Sequence, residues 1–271
     1  MGSFGSVEAT HHLQVFFAKQ LELCNRLRHE ITNQQGDVWV SLIPLLYAVT
    51  DSSDTLIMLS QKGKLRDCFV IGRTIFETIV NALYICTQGD KAARKAKRHA
   101  YQKAYRDLER DLQINTEKIS IRWTGKDNLP KDPELNFAIE EFTSKAGREI
   151  TSWTPENVKE RIELISSKYG NKVSRQLQFG LLSIYRHSSE IAHGTLFGAL
   201  FALGMTSPGT PKTSEELAQY QRGQLSMILL MLGLSISAII LVIEKELGQI
   251  EFSTESEQAI EILKGEPWLK D

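Results

Sequence analysis

Nineteen consecutive residues, 225–243 (LSMILLMLGLSISAIILVI), carry no charge. Such a run has two outcomes: a helix buried on most sides in a large α-helical core, or a membrane span, which needs about 20 apolar residues. The run contains Gly233 and three serines, with no aromatic belt or basic flank. A polar segment, 213–224, leads into it with helical character, and Thr213 with Glu216 forms the capping box of a helix start. We read 217–247 as one long helix at the centre of a bundle. The bilayer alternative stays open.

Apolar residues recur at helical spacing through most of the remaining chain. Residues 7–32 carry Leu13, Phe16, Phe17, Leu21, Cys24 and Leu27 at steps of three and four. A second helix spans 37–59 with Pro44 as a kink, and a third spans 65–87, after which Gln88-Gly89-Asp90 interrupts the pattern. A basic helix follows at 91–112, then a loop at 119–131 holding Gly125 and Pro130. Asp132-Pro133-Glu134 and Thr154-Pro155-Glu156 read as capped helix starts for 134–145 and 155–169. A motif-bearing helix covers 172–203 and is broken by Ser207, Pro208, Gly209 and Pro211. Thr254 with Glu257 marks a short terminal helix. No alternating strand pattern of useful length is visible. The fold class is therefore all-α: one domain over 1–271, a bundle of long antiparallel helices with a peripheral helical insertion at 113–170.

Of the 271 residues, 42% are apolar and 24% charged, as in ordinary globular chains. The net charge of −1 provides no overall field to attract nucleic acid, so RNA binding needs a local basic patch. Cys24, Cys68 and Cys86 are odd in number and form no C-x-x-C, so a thiolate zinc site is disfavoured and a reducing cytoplasm is expected. The N-terminus lacks the basic and apolar regions of a secretory signal. No Walker, dinucleotide-binding or nucleophile-elbow pattern occurs.

Chemistry concentrates in Tyr185-Arg186-His187-Ser188-Ser189-Glu190-Ile191-Ala192-His193-Gly194. Arg186 and His193 are seven residues apart, two helical turns, so a helix points both the same way. A guanidinium grips a phosphate through two donors, and an imidazole moves protons near neutral pH. Phe179, Leu182, Arg186, Ser189, His193, Leu196 and Leu200 form one stripe whose apolar ends should face the core. Polar groups in such a seam must find partners or line a cleft. Glu190, one turn from both Arg186 and His193, is the local partner for a structural Arg-Glu-His network.

The third helix stacks Arg73, Glu77 and Asn81 at steps of four among apolar neighbours, either as an intrahelical pair with a hydrogen-bonding Asn or as support for His193 and phosphate. In the basic helix, Arg94, Lys97, Arg98, Tyr101 and Tyr105 read as a solvated face or as a phosphate-binding, base-stacking flank. Glu190-x-x-His193 also fits the Glu-x-x-His of carboxylate-bridged metal bundles, with Glu8-x-x-His11 as a second copy and Glu77 as a further ligand.

The Arg-polar-x5-His arrangement of Arg186, His187 and His193 resembles the signature of HEPN-type ribonucleases. That resemblance implies metal-independent RNA cleavage through the ribose 2′-OH, with no cofactor. Arg186 would hold the scissile phosphate, His193 would act as general base or acid, and His187 would be the polar residue after the arginine. It further implies a homodimer with facing motifs, and a toxin or antiphage role that can involve a regulatory protein partner. The six-residue gap is at the long end of that family's range. A second likeness joins Arg73, Ile75, Phe76, Glu77, Val80, Asn81 and Tyr84 to Tyr185, Ser189 and His193, and is to a family of uncharacterised bacterial helical proteins. The expected function is thus an endoribonuclease acting on RNA. The alternatives are a non-enzymatic helical interaction module and, behind it, a metal bundle.

Overall fold

In the computed structural model, residues 4–126, 132–206, 209–248 and 251–269 are described. The chain is an all-α bundle with one small two-stranded sheet. It divides into two compact units, Met1–Thr87 with Val158–Asp271, and Gln88–Asn157.

The larger unit is built on α10 (Ser214–Leu247). Leu225, Ile228, Leu229, Leu232, Ile236, Ile239, Ile240 and Ile243 are all at most 3% exposed, so the uncharged run is covered by protein on most sides. By length and composition α10, α2 (Asp37–Gln61) and α3 (Leu65–Gln88) are each apolar enough to cross a membrane. The Thr213 hydroxyl accepts from the Glu216 N–H, and Glu216 accepts from the Lys212 N–H, which closes the capping box. Around α10 pack α1 (Val7–Glu30), α7 (Asn171–Gly180) and α11 (Glu251–Lys264). Buried Thr10 and Ser226 share a hydrogen bond of 2.9 Å that fixes α1 against α10. Thr254 lies inside α11 rather than at its start: the buried Glu244 carboxylate receives the Phe252 and Ser253 N–H groups and so does the capping. α6 (Val158–Tyr169) packs on α7, and its start at Val158 corrects the expected one at Pro155.

The expected continuous helix over 172–203 is broken. After α7 come a π-helical turn, Leu181–Tyr185, then α8 (Arg186–Ala192) and α9 (Leu196–Ala202). Gly194, at φ +65°, ends α8 in a conformation that suits glycine, and the Thr195 hydroxyl caps α9 by accepting from the Gly198 N–H at 3.1 Å. Residues 207 and 208 of the expected break lie outside the described residues.

In the smaller unit, α4 (Asp90–Asp107) is shorter than the expected 91–112. β1 (Glu109–Ile114) and β2 (Glu117–Arg122) follow as an antiparallel hairpin, where part of the basic helix and a loop were expected. Asn115 turns the chain at φ 54°, a conformation asparagine tolerates. Residues 127–131 of the expected loop, Pro130 among them, lie outside the described residues. α5 (Pro133–Glu141) starts at Asp132, whose carboxylate accepts from the Leu135 N–H at 2.7 Å.

Candidate functional site

Two stripes compete for the core along α7 and α8. Val173, Leu177, Ile184, Ser188 and Ile191 form the buried one. The other, which was expected to face the core at its ends, faces out: Phe179 is 50% exposed, Leu182 68% and Leu196 74%. Gly180 decides the choice locally. A Cβ there would sit 2.5 Å from Phe76 of α3 and 3.2 Å from Ser235 of α10, so this side of the helix is pressed into the bundle. The Ser188 hydroxyl is satisfied inside by the Ile184 carbonyl at 2.6 Å.

Arg186 and His193 stand on the outward stripe, and both are exposed. The His193 N–H still bonds to the Ser189 carbonyl at 3.1 Å, so helical register holds from Arg186 through His193. Two turns of rise separate their backbones by about 10 Å, a span that both side chains can close onto one phosphate group. Among the described residues neither side chain has an ion-pair partner. Glu190, exposed between them, accepts instead from the Thr195 hydroxyl at 3.0 Å, so the expected Arg-Glu-His network is not formed among the described residues. Ser189 is half-buried.

His187 points the other way. It stacks on Phe201 at 4.5 Å and 16° and meets Phe69 edge-on at 6.2 Å. Its Nδ1 is buried without a hydrogen-bond partner. Burial, reinforced by the neighbouring Arg186 charge, pushes its pKa down and keeps the ring neutral. Its place is in an aromatic clamp between α3 and α9.

The supporting residues divide into two sets. Arg73 bonds Glu77 at 2.7 Å, and its guanidinium lies 4.6 Å over the Tyr185 ring, so this pair braces the residue just before Arg186. Asn81, one turn further along α3, is taken by Arg161 of α6. With Glu77 on Arg73 and Glu190 on Thr195, no group of three His, Cys, Asp or Glu suited to a metal occurs among the described residues.

The residues expected to bind nucleic acid lie in the smaller unit and are largely engaged there. Arg98 forks onto Glu141 at 2.6 and 3.0 Å and covers the Phe137 ring at 5.1 Å. Tyr101 donates to Asp132 at 2.9 Å, and Tyr105 carries the Lys126 ammonium 5.2 Å over its ring. Arg94 and Lys97 are exposed. Arg106, not singled out by sequence, ties α4 to α5 through Gln102, the Ile139 carbonyl and Thr143.

No curated protein and no solved structure matches this chain. One family does match, over residues 40–209, a span that holds α3, α8 and both halves of the Arg73/Tyr185 brace. The chain thus belongs to the family of unknown function DUF5677.

Proposed function

We propose that the outward face of α8 is the active centre of a metal-independent endoribonuclease of HEPN type. One observation carries the reading: Arg186 and His193 sit two turns apart on one exposed face, with no ion-pair partner among the described residues. Arg186 grips the scissile phosphate and stabilises its developing charge. His193 takes the proton of the ribose 2′-OH as that oxygen attacks phosphorus. The P–O5′ bond breaks, and the departing 5′-oxygen takes a proton from a protonated His193 of a second copy. The products are a 2′,3′-cyclic phosphate and a 5′-hydroxyl. The exposed Phe179, Leu182 and Leu196 flank the pair and form the apolar surface on which the second copy sits. In this reading the enzyme is a cytoplasmic toxin or antiphage effector, held in check by a regulatory protein.

The test is incubation of varied RNAs with purified protein in excess chelator, with product ends identified. Cyclic phosphate ends are expected. Cleavage that requires a divalent ion, or that leaves a 3′-hydroxyl, contradicts the mechanism.

The same exposed apolar flank favours a second reading, a non-enzymatic interaction module. It predicts no cleavage of any RNA and loss of partner binding in Leu182→Glu.

A further inference from the structure

All twelve residues of the β1–β2 hairpin are exposed, yet its two faces differ. Register pairs Leu112 with Ile119, Ile114 with Glu117 and Arg110 with Ile121, so these six share one face. Glu109, Asp111, Gln113, Lys118, Ser120 and Arg122 share the other. That polar face is self-sufficient: Lys118 pairs with Asp111 at 2.7 Å, Ser120 donates to Asp111 at 2.6 Å, and Glu109 receives Lys126 at 2.7 Å and Arg122 at 4.0 Å. Opposite it, Leu112, Ile114, Ile119 and Ile121 are 55–72% exposed. A two-stranded hairpin is marginal in water by itself, and an uncovered aliphatic face of this kind marks a contact surface.

We propose that this face packs on the same face of a second copy of the chain. Its charges select that occupant and its orientation. Arg110 stands at the base of the face and Glu117 at its tip, and they are its only charged residues. A two-fold axis in the plane between the sheets, perpendicular to the strands, lays each tip over the other copy's base. Glu117 of each copy then meets the end holding Arg110 of the other, while the four aliphatic residues close on their equivalents. The parallel arrangement sets Arg110 against Arg110 and Glu117 against Glu117, and is disfavoured. Arg110 is held in place by Asp107 and Glu149, and Glu117 has no ion-pair partner among the described residues.

Ile119 lies beside the axis, opposite itself, which gives a direct test on the full chain. Cys24, Cys68 and Cys86 are buried, and burial raises their pKa values to about 12, so an introduced cysteine reacts alone. Ile119→Cys should be joined into dimers by a short bismaleimide, and Gln113→Cys, on the polar face, should not. Adding Glu117→Arg to Ile119→Cys should cut the dimer yield about tenfold, and further adding Arg110→Glu should restore it. The cross-link should persist with Leu182→Glu, which keeps this contact distinct from one at α8. Equal yields from Gln113→Cys and Ile119→Cys, or a yield indifferent to Glu117→Arg, overturns the proposal. So does an Ile119→Cys protein that stays unlinked and instead floats with phosphatidylglycerol vesicles.

Discussion

The cations of α4 and the single arginine at the head of α8 are chemically alike, but the fold uses them oppositely. Arg98 and Arg106 are spent on Glu141, Gln102, Thr143 and a carbonyl, where they hold α4 to α5. Arg186 is exposed and has no ion-pair partner among the described residues, two turns from an equally exposed histidine. The density of positive charge along a helix therefore says little about anion binding. The carboxylates and carbonyls that surround each guanidinium decide it, because a fork already filled bidentately cannot grip a phosphate.

The sharpest break of that contrast is a swap of charge type. Arg186→Lys keeps the charge but loses the fork, and should slow RNA cleavage about 100-fold. Arg98→Ala should leave the rate within about threefold, as read by single-turnover kinetics on one RNA. A larger effect of Arg98→Ala would move the anion site to α4.

Stability should reverse the order. Arg98→Ala strands Glu141 and should cost about 1–2 kcal/mol in urea denaturation, whereas Arg186→Ala, on an exposed face, should stay within about 0.5 kcal/mol. A comparable loss in Arg186→Ala would mean that the arginine is structural after all.

The smallest effect concerns His187. Its folded pKa is lowered by burial and by Arg186, so the unfolded chain takes up a proton more readily. The stability associated with its neutral ring is complete above the unfolded value of about 6.5, and declines as pH falls from there until the folded value is passed. His99, lowered chiefly by burial, adds the same sign in the smaller unit. His187→Phe should therefore flatten, without abolishing, the fall in melting temperature between about pH 7 and 5. An unchanged slope would place the sensitivity elsewhere.

Helix identity was legible in the sequence wherever periodicity and caps agreed. α1 and α3 lie where their spacing puts them, and Asp132 and Thr213 cap as expected. Sidedness was not. Steps of three and four show that Phe179, Leu182, Arg186 and His193 share a face, but Val173, Leu177, Ile184 and Ile191 satisfy the same rule. Which stripe is buried depends on Phe76 and Ser235, which press on Gly180 from distant parts of the chain. The end of α8 did carry a local signal, glycine followed by threonine, and the alternation of Leu112, Ile114, Ile119 and Ile121 about Asn115-Thr116 marked the hairpin. Both were hidden by stronger helical patterns on either side. The Arg186–His193 pair itself was readable, because it is a local spacing. Its exposure was not, because burial is set by what packs elsewhere.

The central claim is that Arg186 and His193 perform chemistry and do not hold the fold together. It is tested most directly by measuring melting temperature and RNA cleavage on the same preparations of wild type, Arg186→Ala and His193→Ala, in excess chelator. The account predicts that all three melt within a few degrees of one another and that cleavage falls at least about 100-fold in both variants. Variants that melt normally and still cleave at the wild-type rate would contradict it.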